Sequence, residues 1–185
     1  LELLTDKGYE VISLSENAQL RIQQGKDAYI SGYGNLTREG VIYVSKEKPK
    51  LVRNSPILLL VAEAVRAHKL AKEFYLSNEQ VDSTLVDSVD FPDRTIEIPT
   101  NRFDSEALTV YTFGDEIQAR NYGEFLREAG IKEMPVLVID RNYVNKQTNQ
   151  FARQMSFRNL GCRSGLNGND WDLSLTYWLR GVKKG

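Results

Sequence analysis

Three carboxylates stand beside predicted turns in the middle of the chain. Asp115 and Glu116 follow Gly114 at the end of an apolar run, and Asp140 follows the apolar residues 136–139. Oxygen ligands of this kind suit a hard divalent cation, which can activate water for hydrolysis. A simpler interpretation makes Asp115 a helix N-cap and Asp140 a polar residue at a strand end. The sequence therefore offers a carboxylate- and metal-dependent hydrolase as an alternative function, and it leaves open whether the protein is an enzyme.

A second group of candidate residues lies in the segment 141–169, which contains no acidic residue. Its cationic side chains are Arg141, Lys146, Arg153, Arg158 and Arg163. Amide side chains are abundant between them, and Tyr143, Phe151 and Phe157 are interleaved. Arginine and amide groups suit contacts with phosphates or polar edges, and aromatic rings suit stacking. The segment therefore predicts a surface that binds an anionic partner.

The charge distribution gives this basic segment three alternative partners. Residues 79–140 contain 14 acidic and 5 basic residues, whereas residues 141–185 contain 8 basic and 2 acidic residues. The basic part can dock on the acidic stretch of its own chain, on a second copy or another protein, or on a nucleic acid. We favour a protein partner or self-association over nucleic acid. The primary prediction is a non-enzymatic binding or interaction module, with a homo-oligomer as one form.

The single histidine and the single cysteine limit the available chemistry. His68 alone excludes a two-histidine metal site, and Cys162 alone excludes an intramolecular disulfide and a cysteine-based zinc site. Cys162 follows a glycine and precedes Arg163, which makes it a candidate reactive thiol. Low cysteine usage is typical of a reducing compartment, so we expect a cytoplasmic protein.

Composition predicts an ordinary globular chain. Of its 185 residues, 41% are hydrophobic and 26% are charged, which suits one domain over residues 1–185 with a subdivision near 90–105 as an option. The longest apolar run, residues 57–62, is far too short to span a membrane, so no membrane partner is expected. The sequence contains neither a Walker loop nor a dinucleotide fingerprint, and no cofactor is expected.

The N-terminal half must supply strands and one prominent helix. Alternation predicts strands at residues 9–14, 28–31 and 41–44, and a short helix from Ser15 to about residue 24 is predicted between the first two of them. Ser55-Pro56 is a typical helix start, and apolar spacing extends that amphipathic helix to about residue 74. A further helix is predicted from Ser77, because Gln80 stands at capping-box spacing.

The C-terminal half is predicted to hold a βαβ unit. Residues 107–113 are read as a strand, residues 115–129 as a helix that Gly130 ends, and residues 136–139 as a second strand. A strand is also predicted at residues 95–98 and a helix at about 145–160. Ligands in such units tend to bind beyond the carboxyl ends of the parallel strands, here near residues 114–116 and 140–142. The predicted fold class is α+β or mixed α/β, with a β-rich N-terminal part.

Overall fold

The computed structural model describes residues 8–70, 72–169 and 178–183, which form a mixed sheet flanked by helices. The described strands are β1 (Tyr9–Val11), β2 (Asn35–Tyr43), β3 (Lys50–Val52), β4 (Phe74–Tyr75), β5 (Ser88–Asp90), β6 (Ile96–Pro99), β7 (Glu133–Leu137), β8 (Phe151–Phe157), β9 (Leu166–Asn167), β10 (Trp178–Leu179) and β11 (Gly181–Lys183). The described helices are α1 (Leu14–Gln24), α2 (Tyr29–Gly32), α3 (Pro56–Leu59), α4 (Val61–Lys69), α5 (Asn78–Thr84), α6 (Ala107–Phe113), α7 (Glu116–Glu128) and α8 (Arg141–Lys146). The predicted mixed α/β class is confirmed.

Strands β2 and β8 form the antiparallel centre of the main sheet. From one edge to the other its order is β5-β3-β2-β8-β9-β7-β6. The outer side of β2 is shared, because β3 pairs with its C-terminal half and β10 with its first residues. The outer side of β8 is shared in the same way by β4 and β9. A separate pair joins β1 to β11.

The central strands separate two hydrophobic clusters. Side chains of a strand alternate between its faces, so Val41 and Tyr43 enter the larger cluster while Ile42 enters the smaller one. Phe151 and Ala152 of β8 are divided between the same two clusters. Helices α1, α6 and α7 cover the larger cluster, and α3, α4 and α5 cover the smaller one. Burial on both faces explains why every residue of β8 is buried.

A bulge in β2 places a carboxyl group inside the protein. Residues 37–39 lie opposite Met155 alone, because the pairing shifts between Leu36 and Gly40. Glu39, only 4% exposed, accepts the backbone N–H of Leu14 at the start of α1, at 3.0 and 3.1 Å. Burial penalises the charged form and raises the pKa of Glu39 to about 7. The bulge thus joins the central strands to α1 through an acid that is costly to ionise.

The predicted βαβ unit is wrong at its first strand, because residues 107–113 form helix α6. The buried residues are Leu108, Thr109, Thr112 and Phe113, which lie on one helical face. The hydroxyl of Thr109 donates to the Glu106 carbonyl at 2.9 Å, which accommodates this β-branched residue in the helix. Packing against the larger cluster overrides the strand propensity of this segment. Helix α7 agrees with the prediction, and strand β7 lies at Glu133–Leu137, which overlaps the predicted strand at residues 136–139 only in part.

Three further expectations are corrected. Residues 29–32 form the short helix α2 instead of a strand. The helix predicted from Pro56 to residue 74 is broken at Leu60, whose φ of −125° and ψ of 49° separate α3 from α4. The helix predicted at about 145–160 is mainly strand β8. Every residue of this strand is buried, including the polar Arg153, Gln154 and Ser156, so the strand lacks the alternation of apolar and polar residues that marks a strand with one solvent face. Within residues 8–70, 72–169 and 178–183, no helix has both the length and the hydrophobicity that a membrane span requires.

Candidate binding surface

Helix α8 is anchored at its start and by one buried side chain. The Asp140 carboxylate accepts the backbone N–H groups of Asn142 and Tyr143, at 2.8 and 3.2 Å. Val144 is the only buried residue of this helix, at 1% exposure. The remaining side chains of α8 therefore reach the protein surface.

Tyr143 projects from α8 with a fixed hydroxyl. Tyr143 is 42% exposed, yet its hydroxyl donates a hydrogen bond to Glu73 Oε1 at 2.5 Å. The ring meets Phe151 edge-on, with 6.3 Å between ring centroids. The hydrogen bond to the Glu73 carboxylate, together with partial burial, raises the pKa of Tyr143 to about 12. The ring is thus held in one orientation while part of it stays open to a ligand.

A buried ion pair lies directly beneath Tyr143. Arg153 Nη2 and Glu73 Oε1 are 2.5 Å apart, and their side chains are 6% and 4% exposed. The oxygen that binds Arg153 is the same one that binds the Tyr143 hydroxyl. Because both charges are out of water, separating them is expensive, and the geometry of the pair is correspondingly firm. The ion pair therefore acts as a rigid base for an exposed tyrosine.

A second exposed tyrosine lies on the neighbouring strand β4. Tyr75 is 42% exposed and pairs across the strands with Phe151. Its hydroxyl donates to Gln147 Oε1 at 3.0 Å, and Gln147 Nε2 donates to the Tyr143 carbonyl at 3.4 Å. Gln147 thus links the two tyrosines. We define the α8 surface by these tyrosines and the polar residues beside them: Tyr75, Arg141, Asn142, Tyr143, Asn145, Lys146 and Gln147.

The five predicted cationic residues are distributed over separate places. Arg141 and Lys146 belong to the α8 surface, where the Arg141 guanidinium donates to the Glu47 carbonyl. The expectation that Arg153 faces a partner is corrected, because Arg153 is buried and paired with the Glu73 carboxylate. The other two are near the opposite end of β8: Arg158 is half-buried, and Arg163 Nη2 lies 2.7 Å from Glu97 Oε1.

The three predicted metal-binding carboxylates occupy helix starts. Asp115 caps α7 by accepting the backbone N–H of Gln118 at 2.7 Å, and this bond holds the pKa of Asp115 below its usual value. Glu116 lies in the first turn of that helix, and Asp140 caps α8. In the part of the chain that the structure describes, no three His, Cys, Asp or Glu side chains are grouped to hold a metal ion. The structure thus gives two of these carboxylates the simpler capping role and does not bring the three together.

A polar cleft adjoins the α8 surface at Arg141. Its volume is about 420 Å³, and polar side chains from several loops line it: Asp93, Arg94, Thr95, Asp140, Arg141 and Asn169. Strands β7 and β9 are parallel, and the residues that follow both of them reach this cleft. The cleft therefore lies beyond the carboxyl ends of two parallel strands, and the parallel partner of β7 is β9 instead of residues 107–113.

Two important members of the site were missed by sequence reasoning. Glu73 and Tyr75 precede the basic segment by about 70 positions, and no local motif connects them to it. Their proximity follows from the pairing of β4 with β8, which brings Tyr75 opposite Phe151. His68 is half-buried on α4, and Cys162 is a half-buried free thiol whose backbone N–H is bound by Asn159.

Comparison with known proteins identifies the architecture. One similar solved structure bears the description "Accommodation of massive sequence variation in Nanoarchaeota by the C-type lectin fold", with a TM-score of 0.67. The fold of this chain is similar to the C-type lectin fold. The alignment covers 98% of this chain and 87% of the other at 15% sequence identity, so the C-type-lectin-like similarity concerns the fold alone. No protein-family model matches the sequence, and no curated protein matches it significantly.

Proposed function

We propose that the protein is a non-enzymatic binding module that contacts its ligand through the α8 surface. The observation that carries this proposal is the exposed Tyr143 ring, whose hydroxyl is fixed by the buried Glu73–Arg153 pair. Rigid tyrosines supply large contact areas at low entropic cost, and neighbouring amides supply adaptable hydrogen bonds. Tyrosine and arginine are also enriched among the residues that dominate binding energies. The α8 surface combines these features without a grouped set of catalytic side chains.

The proposed ligand is an acidic protein or peptide. Arg141 and Lys146 stand on the α8 surface, and residues 141–169 contain no acid. Glu73 adds little negative field because Arg153 neutralises it below the surface. Complementary charge speeds encounter and excludes partners of like charge.

The C-type-lectin-like architecture supports a division between scaffold and surface. The similar structure is described as accommodating massive sequence variation within its fold. For this chain we propose a comparable division, in which buried strands such as β8 maintain the fold. Exposed side chains of α8 would then determine the ligand with little effect on the core, because surface substitutions usually change stability only slightly.

Fluorescence anisotropy with labelled poly-glutamate, across a salt series, tests the proposed function. We expect binding that weakens with salt, because the charges at an exposed surface are screened. The double variant Arg141→Ala/Lys146→Ala should weaken binding about tenfold. The matched control Lys26→Ala/Lys132→Ala removes two exposed cations elsewhere and should bind like the wild type. Equal losses in the two variants, or no binding at low salt, would contradict the acidic-ligand proposal.

Two further measurements separate the remaining alternatives. Labelled oligothymidine serves as the nucleic-acid probe, and binding tighter than that of poly-glutamate would replace the protein partner by a polyanion with stacking bases. Light scattering over a concentration range tests self-association. A dimer that the Arg141→Ala/Lys146→Ala variant dissociates would make a second copy the ligand.

A further inference from the structure

A second cleft borders the α8 surface, between the turn after β2 and helix α5. Its volume is about 340 Å³, at the small end of the range of about 300–1,000 Å³ in which ligand pockets fall, so it suits a single side chain. The apolar part of its lining consists of Val44, Val81 and Leu85, which all belong to the smaller hydrophobic cluster or pack against it. Val81 is only 7% exposed, and the other two are half-buried. An aliphatic chain laid along this floor is therefore removed from water.

The rim of this cleft carries negative charge that no ion pair of the described residues neutralises. Glu47 and Asp82 are both exposed and both line the cleft, whereas none of its described lining residues is cationic. Lys46 and Lys48 flank Glu47 in the sequence, but neither lines the cleft, and Lys48 pairs with Asp90 at 3.4 Å. The two carboxylates therefore complement a cation, which they would hold above an apolar floor.

Amide groups make the rim rich in hydrogen-bond acceptors. The Gln150 amide nitrogen donates to Asn78 Oδ1 at 2.7 Å, and both residues line the cleft. This bond leaves Gln150 Oε1 as an acceptor near the two carboxylates. A guanidinium group carries several N–H donors in a planar fork on an aliphatic stem. Its stem matches the apolar floor of the cleft, and its donors match the acceptors of the rim.

The cleft is continuous with the α8 surface. The Glu47 carbonyl accepts a hydrogen bond from the Arg141 guanidinium, so the turn that carries Glu47 contacts the start of α8. On the other side, Asn78 follows Tyr75 of the α8 surface closely in the chain. A peptide that contacts Arg141 or Tyr75 is therefore placed to extend into the cleft.

We propose that the cleft receives an arginine side chain of the same acidic peptide or protein that binds the α8 surface, an inference that rests on the proposed function. The guanidinium pairs with Glu47 and Asp82, and its stem packs on Val81. The ligand is then recognised by two groups of opposite charge, an acid at Arg141 and an arginine in the cleft. This arrangement gives specificity, because an acidic partner without the arginine leaves both carboxylates of the cleft unpaired.

Two labelled peptides that differ in one charge test this inference. One is a glutamate peptide with a single arginine at either end, and the other carries citrulline, the neutral isostere, at the same place. Fluorescence anisotropy should show the arginine peptide binding about fivefold more tightly in at least one placement. Without the cleft, charge predicts the opposite order, because arginine lowers the negative charge that the α8 surface attracts.

The outcomes separate the two proposals. If both peptides bind, but the citrulline peptide binds equally or more tightly in both placements, the arginine inference is overturned and the proposed function stands. If neither peptide binds at low salt, both proposals fail. The variant Arg141→Ala/Lys146→Ala should weaken both peptides and keep their affinity ratio, because the arginine binds elsewhere.

A pair of neutralising variants tests the rim of the cleft. Glu47→Gln/Asp82→Asn should lower the affinity ratio of the arginine and citrulline peptides to about one or less, because the guanidinium loses both carboxylates. The matched control Asp27→Asn/Glu128→Gln neutralises two exposed acids elsewhere and should keep the ratio of the wild type. A ratio that survives in Glu47→Gln/Asp82→Asn overturns the inference. A dimer that this variant dissociates would also overturn it, since the arginine would then come from a second copy.

Discussion

The two ends of strand β8 each hold a buried arginine, but in different chemical surroundings. Near the first residues of the strand, Arg153 is paired with the Glu73 carboxylate. At the other end Arg21, with 0% exposure, lies over the Phe157 ring at 4.1 Å from its centroid. Arg21 donates to Ser164 Oγ at 2.6 Å and to the Arg158 carbonyl at 2.9 Å. Among the described residues no carboxylate pairs with Arg21.

The difference indicates two ways of stabilising a buried cation. A full opposite charge stabilises Arg153, so loss of either partner leaves an uncompensated charge. Neutral dipoles and an aromatic face stabilise Arg21, so replacing it by an apolar residue leaves no charge behind. The paired end supports the exposed Tyr143. The neutral end supports the turn at Ser164, whose φ of 54° is in the left-handed region.

The largest expected effect comes from breaking the ion pair. Arg153→Met should lower the free energy of unfolding by about 3–5 kcal/mol, because Glu73 is left charged and buried. The double variant Glu73→Leu/Arg153→Met removes both charges and should recover most of that loss. Urea denaturation of both variants measures the difference. A double variant no more stable than the single one would show that packing, and not charge, controls this end.

The β2 bulge, which lies opposite Met155 in β8 and holds Glu39, should make the stability of the fold depend on pH. The folded pKa of Glu39 is about 7, above its ordinary value of 4.5, so between these values the folded chain holds a proton that the unfolded chain releases. Glu39 therefore stabilises the fold least once pH exceeds about 7, by about 3 kcal/mol relative to pH below 4.5. The difference between wild type and Glu39→Gln isolates this effect from other acids. A difference that stays constant from pH 4 to about 8 would contradict it.

Replacing Arg21, at the end of β8 without a paired carboxylate, should lower the free energy of unfolding less than replacing Arg153. Arg21→Met keeps most of the volume, and Tyr122 Oη and Ser164 Oγ, 2.5 Å apart, still bond each other. We expect a loss of about 1–2 kcal/mol, from lost hydrogen bonds and altered packing. Thermal unfolding of Arg21→Met and of Arg153→Met under the same conditions compares the two stability losses. If Arg21→Met costs as much as Arg153→Met, the proposed contrast between the two ends fails.

The smallest effect should come from the hydroxyl above the ion pair. Tyr143→Phe retains the ring and removes its bond to Glu73, with an expected loss of about 1 kcal/mol. Poly-glutamate affinity should fall more than stability alone explains, because the ring is no longer fixed. Tyr33→Phe, on another exposed tyrosine, is the matched control. If Tyr143→Phe binds poly-glutamate with unchanged affinity, fixing the ring through its hydroxyl does not contribute to binding.

Local signals predicted the starts of α5 and α7, whereas α1 begins at Leu14 behind the cap Ser13 and not at the predicted Ser15. Ser77 and Gln80 form the predicted capping box, with bonds of 2.8 and 3.2 Å in the two directions. Asp115 caps α7 as predicted, and Gly25 follows the last residue of α1. These features depend on residues three or four positions apart, so the sequence contains all the information that they need.

Periodicity misled the prediction of β8. Phe151 and Met155 are four residues apart, and that spacing places two side chains on one face in a helix and in a strand alike. Whether such a segment forms a helix or a strand depends on what covers each of its faces. Both faces of β8 are covered by segments that are distant in the sequence. The same limit applies to the α8 surface. Arg141 and Lys146 were visible in the sequence, whereas Glu73 and Tyr75 join them only through long-range pairing.

The shared outer edge of β8 has a consequence for how the molecule opens. Because β4 pairs only with the first residues of β8 and β9 only with the last, each partner can detach without the other. Amide protons at the two ends of β8 should then exchange with solvent at independent rates, and those paired with β2 should exchange last. A ligand bound at the α8 surface should slow amide exchange only at the end of β8 that pairs with β4. Exchange at the end that pairs with β9 should then keep the rate of the free protein.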